Sequence, residues 1–361
     1  IKMPAVYAYN DLLLKTKKIL RSFGYSEEEA SLTARVLVEA DARGMPSHGV
    51  GRLSPYRQFL DNGFIHPGRA PEITFETPVS LVVDGHNGVG GLIADFAVTR
   101  LIEKARRTGT SFCAVRNASH YGMAGLWTER IARAGMIGCS CCTTRCNAIP
   151  TNGRTRMFGT NPISVSIPEE NGNMFLLDMA TTTAAFGKIE VYARRGKILP
   201  EGWAVDSRGQ SQRDPVEFLR AYKAEPGLGG LVFLGGTQEA TGGHKGYGLG
   251  LLVELLSAGL SMGAWSLHSY EKGVGAKVAM FFSAVRLDIF GNPAALRAHI
   301  GEILREVRNG ETAEGRDRVW IHGEKEREAR ERALHDGVVI EDISAARLEE
   351  FLAQAEGKQP N

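Results

Sequence analysis

Ser47, His48 and Arg52 combine a group that can transfer a proton with a group that can bind an anion. His48 lies four residues before Arg52, in a segment between two stretches with helical spacing. An imidazole transfers protons near neutral pH, and a guanidinium can bind a carboxylate through two parallel hydrogen bonds. The Ser47 hydroxyl can orient the imidazole or a substrate. The alternative is a helix-capping serine beside a histidine that has no chemical role.

His120 is the second candidate, because it lies at the end of a predicted strand. We expect a strand at residues 111–115 and a helix at residues 123–134, with Ser119 and His120 between them. Ligands of α/β sheets bind where strands end, and the free N–H groups at the start of a helix attract anions. A simple helix-capping loop is the alternative interpretation.

Several short segments place polar groups at predicted turns. Thr160 lies in a Gly-Thr-Asn-Pro turn, Asp178 follows a predicted strand, and His244 and Lys245 follow two glycines. Glycines let a phosphate approach the backbone, and Lys245 can neutralise its charge. Arg145 is a charge in an otherwise neutral run, on the surface or in a site. Taken alone, each segment is equally consistent with a turn or a cap.

The glycines at 88, 90 and 91 resemble a dinucleotide-binding fingerprint but depart from it. Ile93 stands where the third glycine is expected, and no acidic residue ends a second strand about 20 positions later. We therefore predict a glycine turn between a strand and a helix, with a phosphate site as the less favoured alternative.

Composition excludes several classes of protein. The 361 residues carry a net charge of only +2, which gives no electrostatic reason to expect nucleic acid as a partner. No apolar run reaches the ~20 residues of a membrane span. We expect no signal peptide, because the N-terminus, Ile-Lys-Met-Pro, has no apolar core followed by a small-residue cleavage site. Five cysteines, four of them within eight residues, fit neither a disulfide framework nor two pairs of zinc ligands. We expect neutral thiols in the cytoplasm and no metal site, with a redox or metal role as the alternative.

The predicted elements place helical chain ends around an alternating α/β middle. Ser26 and Glu29 form a capping-box pattern that opens a helix. We expect the terminal segments to pack together and the middle to form a separate lobe, with the site in the cleft. Helices are expected at residues 11–23, 26–42, 52–62, 92–107, 123–134, 247–260, 293–308, 324–334 and 344–354, strands at 79–83, 111–115, 136–142, 163–167, 174–177 and 278–288, and turns at 199–230.

Seven motifs, in this order, resemble those of the malate/L-lactate dehydrogenase family, whose dinucleotide-binding fold is not a Rossmann fold. The resemblance covers about residues 10–355 and includes the family's ureidoglycolate, sulfolactate, 2,3-diketogulonate and Δ1-piperideine-2-carboxylate enzymes. The motifs are Ser47-His48-Gly49-Val50-x-Arg52, Asn117-x-Ser119-His120-x-Gly122, Gly159-Thr160-Asn161-Pro162, Asp178-Met179-Ala180-Thr181, Gly187-Lys188-Ile189, Gly242-Gly243-His244-Lys245-Gly246 and His322-Gly323-Glu324.

The resemblance implies an NAD(P)-dependent oxidoreductase that forms homodimers. It implies a helical lobe from residues 1–75 and 290–361 and a non-Rossmann NAD(P)-binding α/β lobe from residues 76–289. It assigns His48, beside Ser47, as the acid/base, Arg52 as the group that binds the substrate, and Thr160 as a substrate contact. His120 matches a histidine that serves as proton acceptor or as cofactor contact in different members. The implied cofactor contacts are His120, Tyr121, Gly122, Met123, Ala124, Asp178, Met179, Ala180, Thr181, His244, Lys245, Gly323, Glu324 and Lys325.

Two positions depart from the family pattern. Members that reduce cyclic imines resemble this chain but have an aspartate at the position of Lys188, which we therefore include among the candidate catalytic residues. Residues 151–153 are Thr-Asn-Gly rather than Trp-Gly-Gly, and Arg145 takes about the place of a lysine that approaches the reacting centre in ureidoglycolate-type members.

The expected reaction is hydride transfer between a nicotinamide and C2 of a small 2-oxo or 2-hydroxy acid. Arg52 would hold the carboxylate, His48 would exchange the proton, and His120 and Arg145 would polarise the carbonyl. The first alternative is reduction of cyclic imino acids such as Δ1-piperideine-2-carboxylate. The others are a catalytically inactive binding protein and thiol redox chemistry at the cysteines.

Overall fold

The computed structural model describes residues 5–357, so the first four residues, which bear on the signal-peptide expectation, lie outside the described residues. The elements are β1 Ala5–Tyr7, α1 Tyr9–Ser22, α2 Glu27–Ala42, α3 Leu53–Asp61, β2 Glu72–Glu76, β3 Ser80–Asp84, α4 Gly90–Thr108, β4 Thr110–Ala118, α5 Ala124–Arg133, β5 Met136–Cys142, β6 Ile163–Pro168, β7 Met174–Met179, α6 Phe186–Arg194, β8 Ala204–Val205, α7 Pro215–Ala224, β9 Gly230–Leu231, α8 Gly243–Glu254, β10 Val278–Arg286, α9 Pro293–Arg308, α10 Glu324–Asp336, β11 Val338–Ile340 and α11 Asp342–Ala355.

A seven-stranded mixed sheet forms the centre of the molecule and confirms the expected α/β class. Its strand order is β2-β3-β4-β10-β5-β6-β7, and only β3 and β4 run parallel. Alternate side chains of β10 face opposite sides, as the pleat requires. Phe282 packs in the core that contains α4 and α5, whereas Phe281 packs against Val253 of α8. The sheet is therefore covered by helices on both faces.

The two chain ends pack together in a second core. β1 pairs antiparallel with β11, and α1, α2 and α3 share buried contacts with Val338 and Leu348. The predicted capping box is confirmed, since the Ser26 hydroxyl accepts from the N–H of Glu29 at 3.2 Å and the Glu29 carboxylate accepts from the N–H of Ser26 at 2.7 Å. A third core lies around Phe158, Phe233 and α6.

The turn-rich prediction for residues 199–230 missed a helix. The Asp214 carboxylate accepts hydrogen bonds from the N–H groups of Val216 and Glu217, and Pro215 occupies the first helical position of α7. Both are helix-start signals that were present in the sequence.

The prediction of a buried helix at residues 247–260 was correct in type and wrong in burial. Helix α8 continues into a π-helical turn at residues 255–259, and its apolar residues surround the helix on every side. Val253 is buried, but Leu252 and Leu255 are 45% and 58% exposed. Within residues 5–357, no helix combines the length and the apolarity that crossing a membrane demands.

Candidate active site

The segment that carries His48 and Arg52 is held by a carboxylate at the end of α2. It forms two short 3₁₀ turns, Pro46–His48 and Val50–Arg52. Asp41 accepts a hydrogen bond from the N–H of Val50 at 2.7 Å, and burial raises the pKa of Asp41 to about 7. A Cβ atom at Gly49 would lie 1.8 Å from the Asp41 carboxylate oxygen. Glycine is therefore required here for the close approach that fixes the segment.

Arg52 and Ser47 fix the position of the imidazole between them. The Arg52 Nε donates to the carbonyl of Ser47 at 2.8 Å, and the Ser47 hydroxyl lies 2.9 Å from Nδ1 of His48. Within residues 5–357, neither terminal nitrogen of Arg52 makes a hydrogen bond to the protein. The two ends of the guanidinium fork are thus available to a carboxylate.

His120 stacks on His48 although 72 positions separate them in the chain. The ring centroids lie 5.6 Å apart with an interplanar angle of 24°. Burial and the nearby Arg52 charge lower the pKa of His48 to about 3, and burial, Arg52 and His48 lower the pKa of His120 well below its usual range. Both imidazoles are therefore neutral near pH 7.

The glycine turn at residues 88–91 supports the His120 loop. The N–H of Gly90 donates to the Ser119 hydroxyl at 2.8 Å, and that hydroxyl donates to the carbonyl of Gly88 at 2.8 Å. A Cβ at Gly90 would lie 2.2 Å from the carbonyl oxygen of Ser119. These glycines allow α4 to start against the His120 loop, which agrees with the predicted strand–helix turn.

Thr160 and Arg145 lie beyond the end of β5. The N–H of Thr160 donates to the Thr144 hydroxyl at 2.8 Å. Arg145 and Arg52 both act electrostatically on the hydroxyl of Tyr270 and oppose the effect of burial, which raises the pKa of Tyr270 to about 12. Arg145, an exposed side chain, is therefore close enough to Tyr270 to act on the same hydroxyl as Arg52.

Three of the four predicted cofactor segments line one cleft of about 260 Å³. The N–H of Gly125, in the first turn of α5, donates to the Asp178 carboxylate at 2.7 Å, and burial raises the pKa of Asp178 to about 6. The cleft is lined by Met45, Met123, Leu176, Asp178, Trp320, Ile321, His322, Gly323, Lys325 and Glu326. Met45 and Met123 each lie three residues from a histidine of the stacked pair, so the cleft adjoins both histidine loops.

Two other predicted residues, Glu324 and Tyr121, have side chains that do not line this cleft. Glu324 is buried and pairs with Arg308 at 2.7 Å and with Arg318 at 2.8 Å. Tyr121 is buried, with its hydroxyl 3.1 Å from that of Ser140. These two side chains stabilise the walls around the cleft and are not part of its lining.

Three predicted residues are exposed on helices α6 and α8, which pack around the third core: His244, Lys245 and Lys188. His244 and Lys245 begin α8, near the point where the N–H of Leu234 donates to the carbonyl of Thr181 at 2.9 Å. The Lys188 ammonium lies 6.0 Å from the ring centroid of Trp203. In the part of the chain that the structure describes, no hydrogen bond or ion pair joins Lys188 to the histidine pair.

Sequence reasoning missed three side chains that shape the site. Tyr56 lies 2.7 Å from His120, Asp41 holds the His48 segment, and Tyr270 lies near both Arg52 and Arg145. Tyr56 is four residues after Arg52 and therefore on the same face of the helical segment, a signal that was available. Asp41 and Tyr270 gave no local signal, because their roles depend on contacts across the fold.

The cysteines are neutral in this structure. All five are free thiols, and burial raises the pKa of Cys142 and of Cys146 to about 12. A thiol of that pKa carries almost no thiolate near pH 7, and the thiolate is the reactive form. This agrees with the predicted neutral thiols.

Comparisons of the sequence and of the structure with known proteins indicate one family of dehydrogenases and reductases. Residues 7–349 match the family model described as malate/L-lactate dehydrogenase. The chain is 40% identical to a malate dehydrogenase of Pyrococcus abyssi over 85% of this chain and 83% of that protein. It is 29% identical, over 95% of both chains, to a Δ1-pyrroline-2-carboxylate/Δ1-piperideine-2-carboxylate reductase of Pseudomonas syringae pv. tomato. A crystal structure of malate dehydrogenase from Entamoeba histolytica superposes with a TM-score of 0.93 at 30% identity, over 99% of this chain and all of that chain.

Proposed function

This chain belongs to the malate/L-lactate dehydrogenase family, and we propose that it transfers a hydride between NAD or NADP and C2 of a small 2-oxo or 2-hydroxy acid. The observation that carries the proposal is the convergence of His48, His120 and Arg52 beside a cleft. The stacked imidazoles and the unoccupied fork of Arg52 supply a proton-transfer group and a carboxylate-binding group within one site.

The lining of the cleft supports a dinucleotide site. The first turns of α5 and α10 meet there; the N–H of Gly125 in α5 donates to the Asp178 carboxylate, whereas α10 has no side-chain cap. Helix N-termini attract phosphates, and Lys325 adds a positive charge to a lining that also holds Asp178 and Glu326. We propose that the dinucleotide binds in this cleft and not at the glycine turn of residues 88–91. In that turn the Ser119 hydroxyl already accepts the hydrogen bond from the N–H of Gly90. The bound cofactor would supply the hydride chemistry.

Each site residue then has a separate task. The terminal nitrogens of Arg52 bind the substrate carboxylate, and Thr160 and Arg145 contact or polarise the remainder of the molecule. During oxidation the C2 hydrogen leaves as hydride and the hydroxyl proton passes to His48, whereas during reduction His48 returns that proton to the oxygen. His120 stabilises the negative charge that develops on this oxygen.

A reductase of cyclic imino acids is the second candidate, because one relative carries that name. The resemblance implies that such enzymes have an aspartate at the position of Lys188, which completes a Ser–His–Asp set with the counterparts of Ser47 and His48. This set is incomplete here, which favours the 2-oxo acid as substrate. The Lys188 ammonium lies near Trp203, and its position adds no support for either substrate.

A substrate panel separates these functions. Pyruvate, oxaloacetate and Δ1-piperideine-2-carboxylate are assayed in parallel with NADH and NADPH, and we expect turnover of an oxo acid. Preferential reduction of the imine would select the second candidate. No turnover, together with no change in NAD(P)H fluorescence on mixing, would overturn both and favour a binding protein.

The pH dependence of kcat/KM should differ between the two directions of the reaction. Oxidation needs neutral His48, whose pKa is lowered to about 3, so kcat/KM for the hydroxy acid should stay flat as the pH falls from 7 through the ordinary histidine range. Reduction needs protonated His48, so its kcat/KM should rise over the same interval. Initial rates in both directions test this, and an acid limb near pH 6.5 in oxidation would contradict it.

Three finer properties belong to the same proposal. We propose homodimers, for which the exposed leucines of α8 and its π turn offer an apolar surface. We propose a cytoplasmic location, which free thiols favour. We also propose that residues 1–75 and 290–361 form a helical lobe and residues 76–289 the NAD(P)-binding lobe.

A further inference from the structure

His120 makes two hydrogen bonds through the same ring nitrogen. Its Nδ1 accepts from the backbone N–H of Gly122 at 3.3 Å and lies 2.7 Å from the hydroxyl of Tyr56. A backbone N–H can only donate, so Nδ1 must be an acceptor and carries no proton. The hydroxyl of Tyr56 must then donate to it as well.

The surroundings of Tyr56 keep its hydroxyl in the donating form. Tyr56 is 3% exposed, and burial raises the pKa of its phenol well above the usual range. Its ring packs edge-on against His120, with centroids 5.7 Å apart. The phenol therefore keeps its proton and points it at Nδ1.

Gly122 cannot move away from this arrangement easily. It has a φ of +84°, a conformation that favours glycine, and a Cβ there would lie 2.1 Å from a methyl group of Val36. The turn is thus pressed against α2, which directs the N–H of Gly122 at the imidazole.

We propose that Tyr56 and the N–H of Gly122 hold His120 in the neutral tautomer with its proton on Nε2, so that His120 is a fixed hydrogen-bond donor to the substrate oxygen and His48 alone exchanges the proton. This inference rests on the proposed function for the identity of the substrate. Tyr56 is a positioning residue, because it acts through His120. A proton acceptor at Nε2 would need the proton on Nδ1, where two donors already point.

His48 differs from His120 in the hydrogen bond that its Nδ1 makes. Its Nδ1 faces the hydroxyl of Ser47, which is exposed and can donate or accept. Either tautomer of His48, and its protonated form, can therefore keep this hydrogen bond. The two imidazoles therefore have different roles: His120 keeps one tautomer, whereas His48 can gain and lose a proton.

The tautomer can be measured without any turnover. In the ligand-free protein, ¹⁵N-labelled histidine side chains are observed by NMR, and the His120 signals are assigned by their loss in His120→Gln. We expect an Nε2–H imidazole that does not titrate between pH 5 and 8. A proton on Nδ1, or a titration in this range, would overturn the proposal whether or not the substrate class is right.

Variants then test the role of Tyr56. Tyr56→Phe removes the shorter of the two hydrogen bonds to Nδ1 and leaves only the 3.3 Å bond from Gly122. Because this longer bond holds the tautomer less strongly, we expect a mixture of tautomers and a kcat lower by about tenfold, with little change in KM. Tyr25→Phe is the matched control. Tyr25, Tyr56 and His120 line one small cavity, and the Tyr25 hydroxyl has no hydrogen-bond partner among the described residues. It should leave the tautomer and kcat unchanged. An unchanged tautomer in Tyr56→Phe would overturn the role of Tyr56.

His120→Gln separates donation from proton transfer. A glutamine amide donates a hydrogen bond but takes no proton near neutral pH. We expect this variant to retain measurable turnover and the rise of the reduction rate toward acid pH that depends on His48. Loss of this pH dependence in His120→Gln would assign the proton transfer to His120 and overturn the proposal.

Discussion

Replacing His48 by alanine should lower turnover by about 10²–10⁴-fold while the affinity for NADH or NADPH stays the same. The reason is that the methyl group left behind can neither give nor take the proton at the substrate oxygen. The ring also does not appear among the residues that line the proposed dinucleotide cleft. Steady-state kcat and a fluorescence titration of the reduced cofactor measure the two quantities separately.

The control for this variant is another histidine on the surface. His299→Ala removes an exposed imidazole from α9, where its Nδ1 lies 3.2 Å from the Glu302 carboxylate. Its turnover should match that of the unchanged protein. Near-normal turnover in His48→Ala would transfer the acid/base role to His120 and contradict the division of work between the two rings.

Arg52→Lys should raise KM for the 2-oxo acid by about 10–100-fold, because hydrogen bonds to a charged group contribute about 1.5–3 kcal/mol. Lysine keeps the positive charge but loses the planar fork that binds both carboxylate oxygens. It also loses the Nε contact with the Ser47 carbonyl. We expect a smaller change in kcat, since Ser47 keeps its contact with His48.

Arg57→Lys is the matched control for Arg52. Arg57 lies on α3, which begins directly after Arg52; its side chain is exposed and pairs with Asp61 at 2.8 Å. This exposed ion pair contributes little, so KM and kcat should stay as they are. A normal KM in Arg52→Lys would exclude Arg52 from binding the carboxylate.

Local signals in the sequence were sufficient for most elements and for naming His48, Arg52 and His120 as candidates. The Ser26–Glu29 box defined the start of α2, and the bounds of β5 and α9 were predicted to the residue. His48 and Arg52 were found because their side chains have few roles other than chemistry at a loop between helices.

The remaining features depend on contacts between residues that are far apart in the chain, so local sequence patterns could not predict them. The stacking of His48 on His120 depends on how two separate cores meet, and no local pattern records that approach. The exposure of α8 was missed because an all-round apolar helix usually implies burial. Lys188 was named through the family resemblance, and only the structure shows that its ammonium lies 6.0 Å from the ring centroid of Trp203.

The two stacked imidazoles come from segments that are anchored in different parts of the molecule. Val50 and Leu53 fix the first segment among the terminal helices, and Tyr121 fixes the second against the central sheet. The reaction therefore requires more than correct folding. The terminal helices and the central sheet can each keep their structure while a small shift between them separates the two rings. A variant at that boundary would be well folded by circular dichroism and yet inactive.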